Sequence, residues 1–570
     1  SMDKGVLSFP GALDEALIPV DKLSAQAQWT VKNEQIELSV DQIRFANVHL
    51  KADAAVKWKT SNPATSTGKS RFPGILDLTA TLPQANTTHI HRYLPTGIPK
   101  FVREYVRNAG TQGELSNGKV RIKGDLFDLP FADPKLGEFR ISANLQNTRF
   151  AYAPQNLTIE GGASWPALTQ LNGELVFDRN SMQIKGANAR IEGFAGLQIS
   201  KAEASIPSLA INPAVLVQAE ARGPVADVLA FVKTSPLGAM TNNVLSQATA
   251  TGNADYRVRL NLPLAELVKT QVQGSITLAG NDVRFTPSTP LLAHARGVVG
   301  FTERGFQISG AQAGLLGGDI RFEGGMRPAT RNQPESIVSF HGEGVATAEG
   351  MRAEKDLGFL ARIAQNVSGS TPYAATLSFQ KGEPELSVAS SLQGMGVNLP
   401  APLAKPPETA LPLRYDNSLV RNPQTNALVP SQDRLSIQLG QVLAADFVRD
   451  VSGTVPLALR GGIGIGLEPG ETAPVPEEGV VANVNLSRVD LDAWKRLLGT
   501  NDAGGAEDPV TQSYLPTVLA VRADGGLRLE PHRLVATKDD LDGTAYGEIL
   551  GDVDRESLDR EAVLENAKDD

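Results

Sequence analysis

The 570 residues are several times what one hydrophobic core can serve, so the chain folds either as several domains or as a long repetitive structure. Aromatic residues make up only 5 % while Gly reaches 54 and Pro 36, which favours many short strands and tight turns over a few large cores. The net charge of -9 comes from interleaved acidic and basic residues with no basic stripe for a nucleic acid, and the lack of Cys removes disulfides, thiolate nucleophiles and Cys-held metals.

From the N-terminus, Ser1 to Lys4 is neither a signal peptide nor an anchor, and no run of 18 apolar residues follows anywhere. A membrane anchor of a longer parent protein is expected upstream of Ser1. Apolar and polar residues then alternate with period two, first at Ile36, Leu38, Val40 and again from Val48 to Trp58, which puts one apolar and one polar face on each strand. Pro95 to Ala109 places Ile98, Phe101, Val102, Tyr105 and Val106 on one helical face that ends at Gly110. Strand alternation returns at Val120, Ile122 and at Phe139 to Leu145. A second short helix is expected over Val225 to Val232, stopped at Ser235-Pro236 because the residue before Pro is pushed out of the helical region. After the strands Tyr256 to Leu262 and Ile276, Leu278, a third helix is expected over Arg352 to Val367 from the spacing of Leu357, Leu360, Ile363, Ala364 and Val367. Leu377, Phe379, then Leu435, Ile437, Leu439 and Val484, Leu486 continue the strand pattern. The tail Asp539 to Asp570 is acidic with little to bury.

An internal repeat is visible when Leu171 to Gly193 (LNGELVFDRNSMQIKGANARIEG) is set beside Ala295 to Gly324 (ARGVVGFTERGFQISGAQAGLLGGDIRFEG). The matching glycines Gly173 and Gly297 lie 124 positions apart, so the unit is larger than one hairpin. Gly137 to Tyr152 likewise resembles Gly274 to Pro287. The expected organisation is three β-repeats with a helix each over 1–110, 111–250 and 251–400, a Pro- and Asn-rich linker over 401–432, a β segment over 433–538 and the acidic tail over 539–570.

Catalytic and cofactor motifs fail on inspection. His89 and His91 would share one side of a strand, but no third ligand sits nearby and zinc needs three or four. Gly68-Lys69-Ser70 has Pro63 where a phosphate loop needs its first Gly, and no helix pattern follows. Asp540, Asp542 and Gly543 resemble a calcium loop, but Lys538 and Ile549 stand at its first and last ligand positions. Gly461 to Leu467 lacks the third Gly of a dinucleotide fingerprint. The expectation is no enzyme, no cofactor, no metal and no catalytic residue.

Several phrases resemble the YhdP members of the AsmA-like proteins of Gram-negative envelopes. They are Tyr93-Leu94-Pro95; Gly118 to Phe131 (GKVRIKGDLFDLPF) with Gly137-Glu138-Phe139; and Trp165-Pro166-Ala167-Leu168. Others are Ser235-Pro236-Leu237, Thr289 to Leu292, Gly394 to Lys405 (GMGVNLPAPLAK) and Asp490 to Trp494, so the likeness extends over roughly Leu23 to Val521 in order. The resemblance implies a mainly β fold, an elongated, curled antiparallel sheet forming a groove from meander repeats with a few short capping helices. It implies a periplasmic segment that holds or conducts phospholipid between inner and outer membranes, reaching the inner membrane through an N-terminal anchor and the outer membrane through C-terminal repeats beyond this chain.

On that reading, phospholipid acyl chains meet the alternating apolar residues Leu175, Phe177, Met182, Ile184, Ile276, Leu278, Val283, Phe285, Val299, Phe301, Phe306, Ile308, Ile320 and Phe322. Alternation by itself fits a structural or adhesive β-repeat protein equally well, in which the same residues fill a closed sandwich core without a ligand.

Overall fold

The computed structural model describes residues 1–522 except 16, 154–162, 241–242, 244, 267–268, 288, 328–336, 355–363, 381–382, 423, 425–427, 454–455, 467–474 and 487–512. The acidic tail, the Asp490 to Trp494 phrase and most of the expected third helix, including Leu357, Leu360 and Ile363, lie outside the described residues. The described chain is mainly β, with 27 strands in mixed, unclosed sheet structure and a few short helices. It divides into two compact units, one made mostly of residues 1–287 with 293–311, the other mostly of residues from 329 on with 312–324.

In the first unit each strand pairs antiparallel with the one before it, from Met2–Ser8 through Leu17–Lys32, Gln35–Ala46, Leu50–Lys59, Ile75–Asn86, Gly110–Asp125, Gly137–Phe150, Leu168–Asp178, Ser181–Ile191, Phe194–Ile206, Ala214–Pro224 and Asn253–Pro263 to Gln271–Arg284. The helix Lys100–Ala109 fills the connection between Ile75–Asn86 and Gly110–Asp125, and the helix Val225–Thr234 fills that between Ala214–Pro224 and Asn253–Pro263. Six strand steps separate the two connections. An even number of antiparallel steps restores the strand direction, so both helices lie at the same rim of the sheet, the capped rim. The opposite, free rim carries tight turns such as Arg179-Asn180 and the loops 60–74, 126–136 and 207–213.

The 124-residue repeat is copied in the element boundaries: strands begin at Leu168, Ser181 and Phe194, and again at Leu292, Gly305 and Gly318. Its glycines have a common physical role. A Cβ on Gly173 would stand 3.1 Å from the Ala187 Cβ, and one on Gly297 would stand 2.9 Å from the Ala311 Cβ, so each copy brings two strands together over a buried alanine. Fourth in each copy come Ala214–Pro224 and Ile337–Thr347, and a helix follows both, Val225–Thr234 and Ala348–Ala353. The latter begins four residues before the expected third helix, because the Thr347 side chain accepts a hydrogen bond from Gly350 N at 3.0 Å and caps it there.

Register shifts mark most pairings from Gln35–Ala46 to Ala214–Pro224, three of them between Gly110–Asp125 and Gly137–Phe150 and three between Ser181–Ile191 and Phe194–Ile206. Asn117, Asn147, Gln170, Gly186 and Lys201 take positive φ at or beside these shifts in five successive strands. Each such bulge bends its strand and increases local twist. Asn117, Asn147 and Gln170 fall in the halves of their strands nearer the capped rim, Gly186 at mid-strand and Lys201 just past the middle.

In the second unit Ile337–Thr347, Val367–Gln380, Glu383–Ser390, Leu413–Arg421, Leu428–Leu439, Leu443–Asp450 and Leu457–Ile465 pair antiparallel in turn. Gly479–Asn485 and then Val518–Arg522 add in parallel, a change of direction that alternation does not specify. The strand Leu413–Arg421 falls inside the stretch expected as a linker; Leu413, Tyr415, Asn417 alternate with Arg414 and Asp416 there.

Candidate functional site: a continuous apolar belt

Residues directly opposite in a ladder point to the same face, so the register can be followed across the sheet. In the first unit one row runs Ala54, Ala80, Val120, Ile141, Phe177, Met182, Ile206, each paired with the next. The row beside it runs Ala143, Leu175, Ile184, Ala204, Val217, Leu260, Val272. Nearer the free rim lie Ala27, Val40, Val56, Leu78, Ile122 and Phe139, then Trp29, Leu38, Trp58 and Leu76. The result is an apolar belt unbroken by charge over twelve successive strands.

Most belt residues are half-buried, which fits neither a packed core nor an ordinary surface. The opposite face carries the charges. Arg121 bridges Asp77 and Glu138, Arg140 meets Asp178 at 2.8 Å and Arg149 meets Glu192 at 2.6 Å. The Arg121 and Arg149 guanidiniums hold the Asp77 and Glu192 carboxyls below their usual range, chiefly by direct hydrogen bonds.

Toward the capped rim the same face closes. Leu145, Leu171, Ala187 and Ala189 form a buried cluster against which Leu175 and Ile184 pack. Leu197, Val225, Ala254 and Tyr256 form a second beneath the helix Val225–Thr234, with Ile276 and Leu278 against it. Rings continue along this rim: the Tyr105 hydroxyl donates to the Tyr152 carbonyl at 3.1 Å, and Tyr152, Trp165, Phe231 and Phe194 follow with centroids 5.8–6.5 Å apart. Burial pushes the Tyr105 and Tyr152 phenols up to about 12, so they stay neutral donors.

Phe177 and Met182 thus lie in the open part of the belt, while Leu175, Ile184, Ile276 and Leu278 border the closed part. Phe301 covers Gly274, where an added Cβ would run into its ring. Val283, Phe285, Val299 and Phe306 are half-buried and Ile308 is buried. In the second unit Ile320 and Phe322 lie over Gly342, within 2.7 and 3.3 Å of where its Cβ would be. The fourteen residues therefore divide between open belt, packed margin and core.

The second unit has its own register-matched face: Phe340, Leu377, Leu386, Asn417, Leu435, Phe447. Its last strands are closed, since Leu435, Ala445, Phe447 and Val480 are all buried. Where the pattern demands apolar residues it carries a charge pair instead. Arg449 donates to both Asp433 oxygens at 2.8 and 2.6 Å, and Asn417 adds a bond to Asp433 at 2.8 Å. Burial alone would lower the Arg449 pKa, but the hydrogen bonds and charge of Asp433 outweigh it and hold the guanidinium above its usual range.

Sequence reasoning missed these charges and three pins in the connections. Phe131, fully buried, fills the space left by Gly124 and Gly137. Asn47 donates to the Tyr93 hydroxyl at 2.9 Å. Lys405 Nζ donates to the carbonyls of Leu392, Met395 and Pro406 and ties down the loop after Met395. His89 and His91 lie on the 3₁₀ turn Thr87–Tyr93 rather than a strand, with His89 stacked on His49 at 3.6 Å. Among the described residues no group of three or more His, Cys, Asp or Glu could hold a metal, and no helix is long and apolar enough to cross a membrane.

The first unit is an open, repetitive β-sheet with one charged face and one continuous apolar face, which places the chain in the class of β-repeat proteins. The chain belongs to the YhdP protein family, whose model matches residues 1–539. It is also 24 % identical over 327 residues to the intermembrane phospholipid transporter YhdP of Escherichia coli (strain K12). That alignment covers 55 % of this chain and 24 % of the relative. No solved structure matches.

Proposed function

We propose that this chain holds and conducts phospholipid, with acyl chains lying on the apolar belt of the first unit, as a periplasmic segment of a protein that moves phospholipid between the inner and outer membranes of a Gram-negative envelope. Contact with the two membranes, through an anchor on the inner side and further repeats on the outer side, belongs to the same proposal. The observation that carries it is the register-matched run of mostly half-buried apolar residues from Ala54 to Ile206, continued to Val272 by the row beside it. Each methylene that such a face withdraws from water is worth about 0.8 kcal/mol, and backbone groups are already satisfied in the ladder, so no reaction and no cofactor is needed. A relative 24 % identical over 327 residues is an intermembrane phospholipid transporter, which supports the reading. For the last strands of the second unit a purely structural role is favoured, because Leu435, Ala445, Phe447 and Val480 already fill the space a tail would need.

Solvent extraction of the gently purified chain followed by mass spectrometry tests the reading. Phospholipid in near-stoichiometric amount is expected; a lipid-free protein would contradict it.

A further inference from the structure

The two rims of the first unit differ, and the difference orients a lipid. At the capped rim the belt runs into the buried Leu145, Leu171, Ala187 and Ala189 cluster and the ring series Tyr152, Trp165, Phe231, Phe194. The side chains of that cluster and ring series are all apolar or neutral. At the free rim the belt ends in residues with an apolar body and a polar edge. Trp58 donates its indole N–H to the Pro73 carbonyl at 2.9 Å and stacks on Phe72, which is 56 % exposed. Trp29, opposite Leu38 in the next row position, is 73 % exposed. Such indoles prefer the boundary between hydrocarbon and water. The turn beside Phe177 and Met182 carries Arg179, whose guanidinium meets Asp178 at 2.8 Å while its Nε is buried without a partner.

Resting on the lipid-holding function above, we propose that phospholipid lies across these strands in one direction, tails toward the capped rim and phosphate head group at the free rim, near Trp58 and the Arg179 turn. The lengths agree. One leaflet's tails span about 15 Å, half of the roughly 30 Å hydrocarbon core of a bilayer. At about 3.3 Å per residue that is four to five strand residues. Counted inward along Leu168–Asp178, this leads from Phe177 to Gly173, and the next residue on that face, Leu171, belongs to the closed cluster.

Two single-tryptophan proteins test the direction, one keeping Trp58 and one keeping Trp165, with the other tryptophans replaced by Phe. Each is loaded with phosphatidylcholine bearing either a head-group nitroxide or bromines near the tail ends. The nitroxide lipid is expected to quench Trp58 at least twofold more than Trp165, and the brominated lipid to show the reverse. Equal or inverted quenching overturns the orientation while leaving lipid holding intact; failure of either lipid to bind by native mass spectrometry overturns the function beneath it. Should a variant fold poorly, the unaltered chain can be cross-linked with phospholipid carrying a photoreactive group on the head or at the tail end. Head adducts are expected within 60–74, 126–136 and 179–180, and tail adducts toward 165–173. Adducts placed the other way round refute the proposal.

Discussion

Two regions obey the same period-two rule and end differently. Strands Gly137–Phe150 to Phe194–Ile206 of the first unit present Ile141, Phe177 and Met182 half-buried, whereas strands Leu413–Arg421 to Leu457–Ile465 of the second bury Leu435, Ala445 and Phe447. The first set carries seven register shifts in its three pairings, and the adjoining pairing with Gly110–Asp125 adds three more; the second set has two shifts in its three pairings. Alternation decides which face is apolar. What meets that face is decided by bulges, connections and neighbouring elements.

The contrast can be broken most forcefully by a charge. Phe447→Asp puts a carboxylate into a filled core and is expected to cost more than about 4 kcal/mol, seen as loss of the second unit's urea transition. Phe177→Asp on the open belt is expected to cost only about 1–2 kcal/mol. If both unfold alike, the belt is a core.

Next, Arg449→Met strands the Asp433 carboxylate and is expected to destabilise by about 3–5 kcal/mol, while adding Asp433→Leu restores most of that loss in a denaturant titration. No rescue by the second change would mean that the pair does more than neutralise itself. In the first unit, Gly173→Val forces a side chain against Ala187 and is expected to cost about 1–3 kcal/mol in the same titration, with Gly297→Val costing more, because Gly297 also holds a φ of +149° that a valine rarely adopts. Equal costs would show that the backbone at Gly297 relaxes without strain.

The smallest effect belongs to the charged face. Hydrogen bonds from Arg149 depress the Glu192 pKa, so their stabilisation is present above the unfolded value of 4.5 and is lost as pH falls through the lower folded value. Both side chains are more than a third exposed, which limits the effect to a few tenths up to about 1 kcal/mol. Arg149→Met should flatten stability between pH 5 and 3 by about that amount.

Much of this fold was legible in the sequence, because a half-apolar strand has only one periodicity and the 124-residue repeat announces a copied unit. The helix Val225–Thr234 was legible from its apolar spacing and its Ser-Pro stop. The bulges were not: a positive φ at Asn147 or Gln170 is tolerated by many sequences and becomes a register shift only beside a particular partner strand. The site was legible by face and not by depth, since Phe177 and Ile308 sit in equivalent patterns yet one borders open space and the other is buried. The phrases that carried the family likeness lie largely in connections, where Phe131, Tyr93 and Lys405 pin loops; the belt itself has a rhythm and no motif.

Native mass spectrometry of the unaltered chain beside Phe177→Asp tests the central claim most directly. Phospholipid masses on the unaltered protein, largely lost in Phe177→Asp at unchanged circular dichroism, are the predicted result. An unaltered chain without lipid, or a variant that keeps its full complement, would contradict a belt that holds acyl chains.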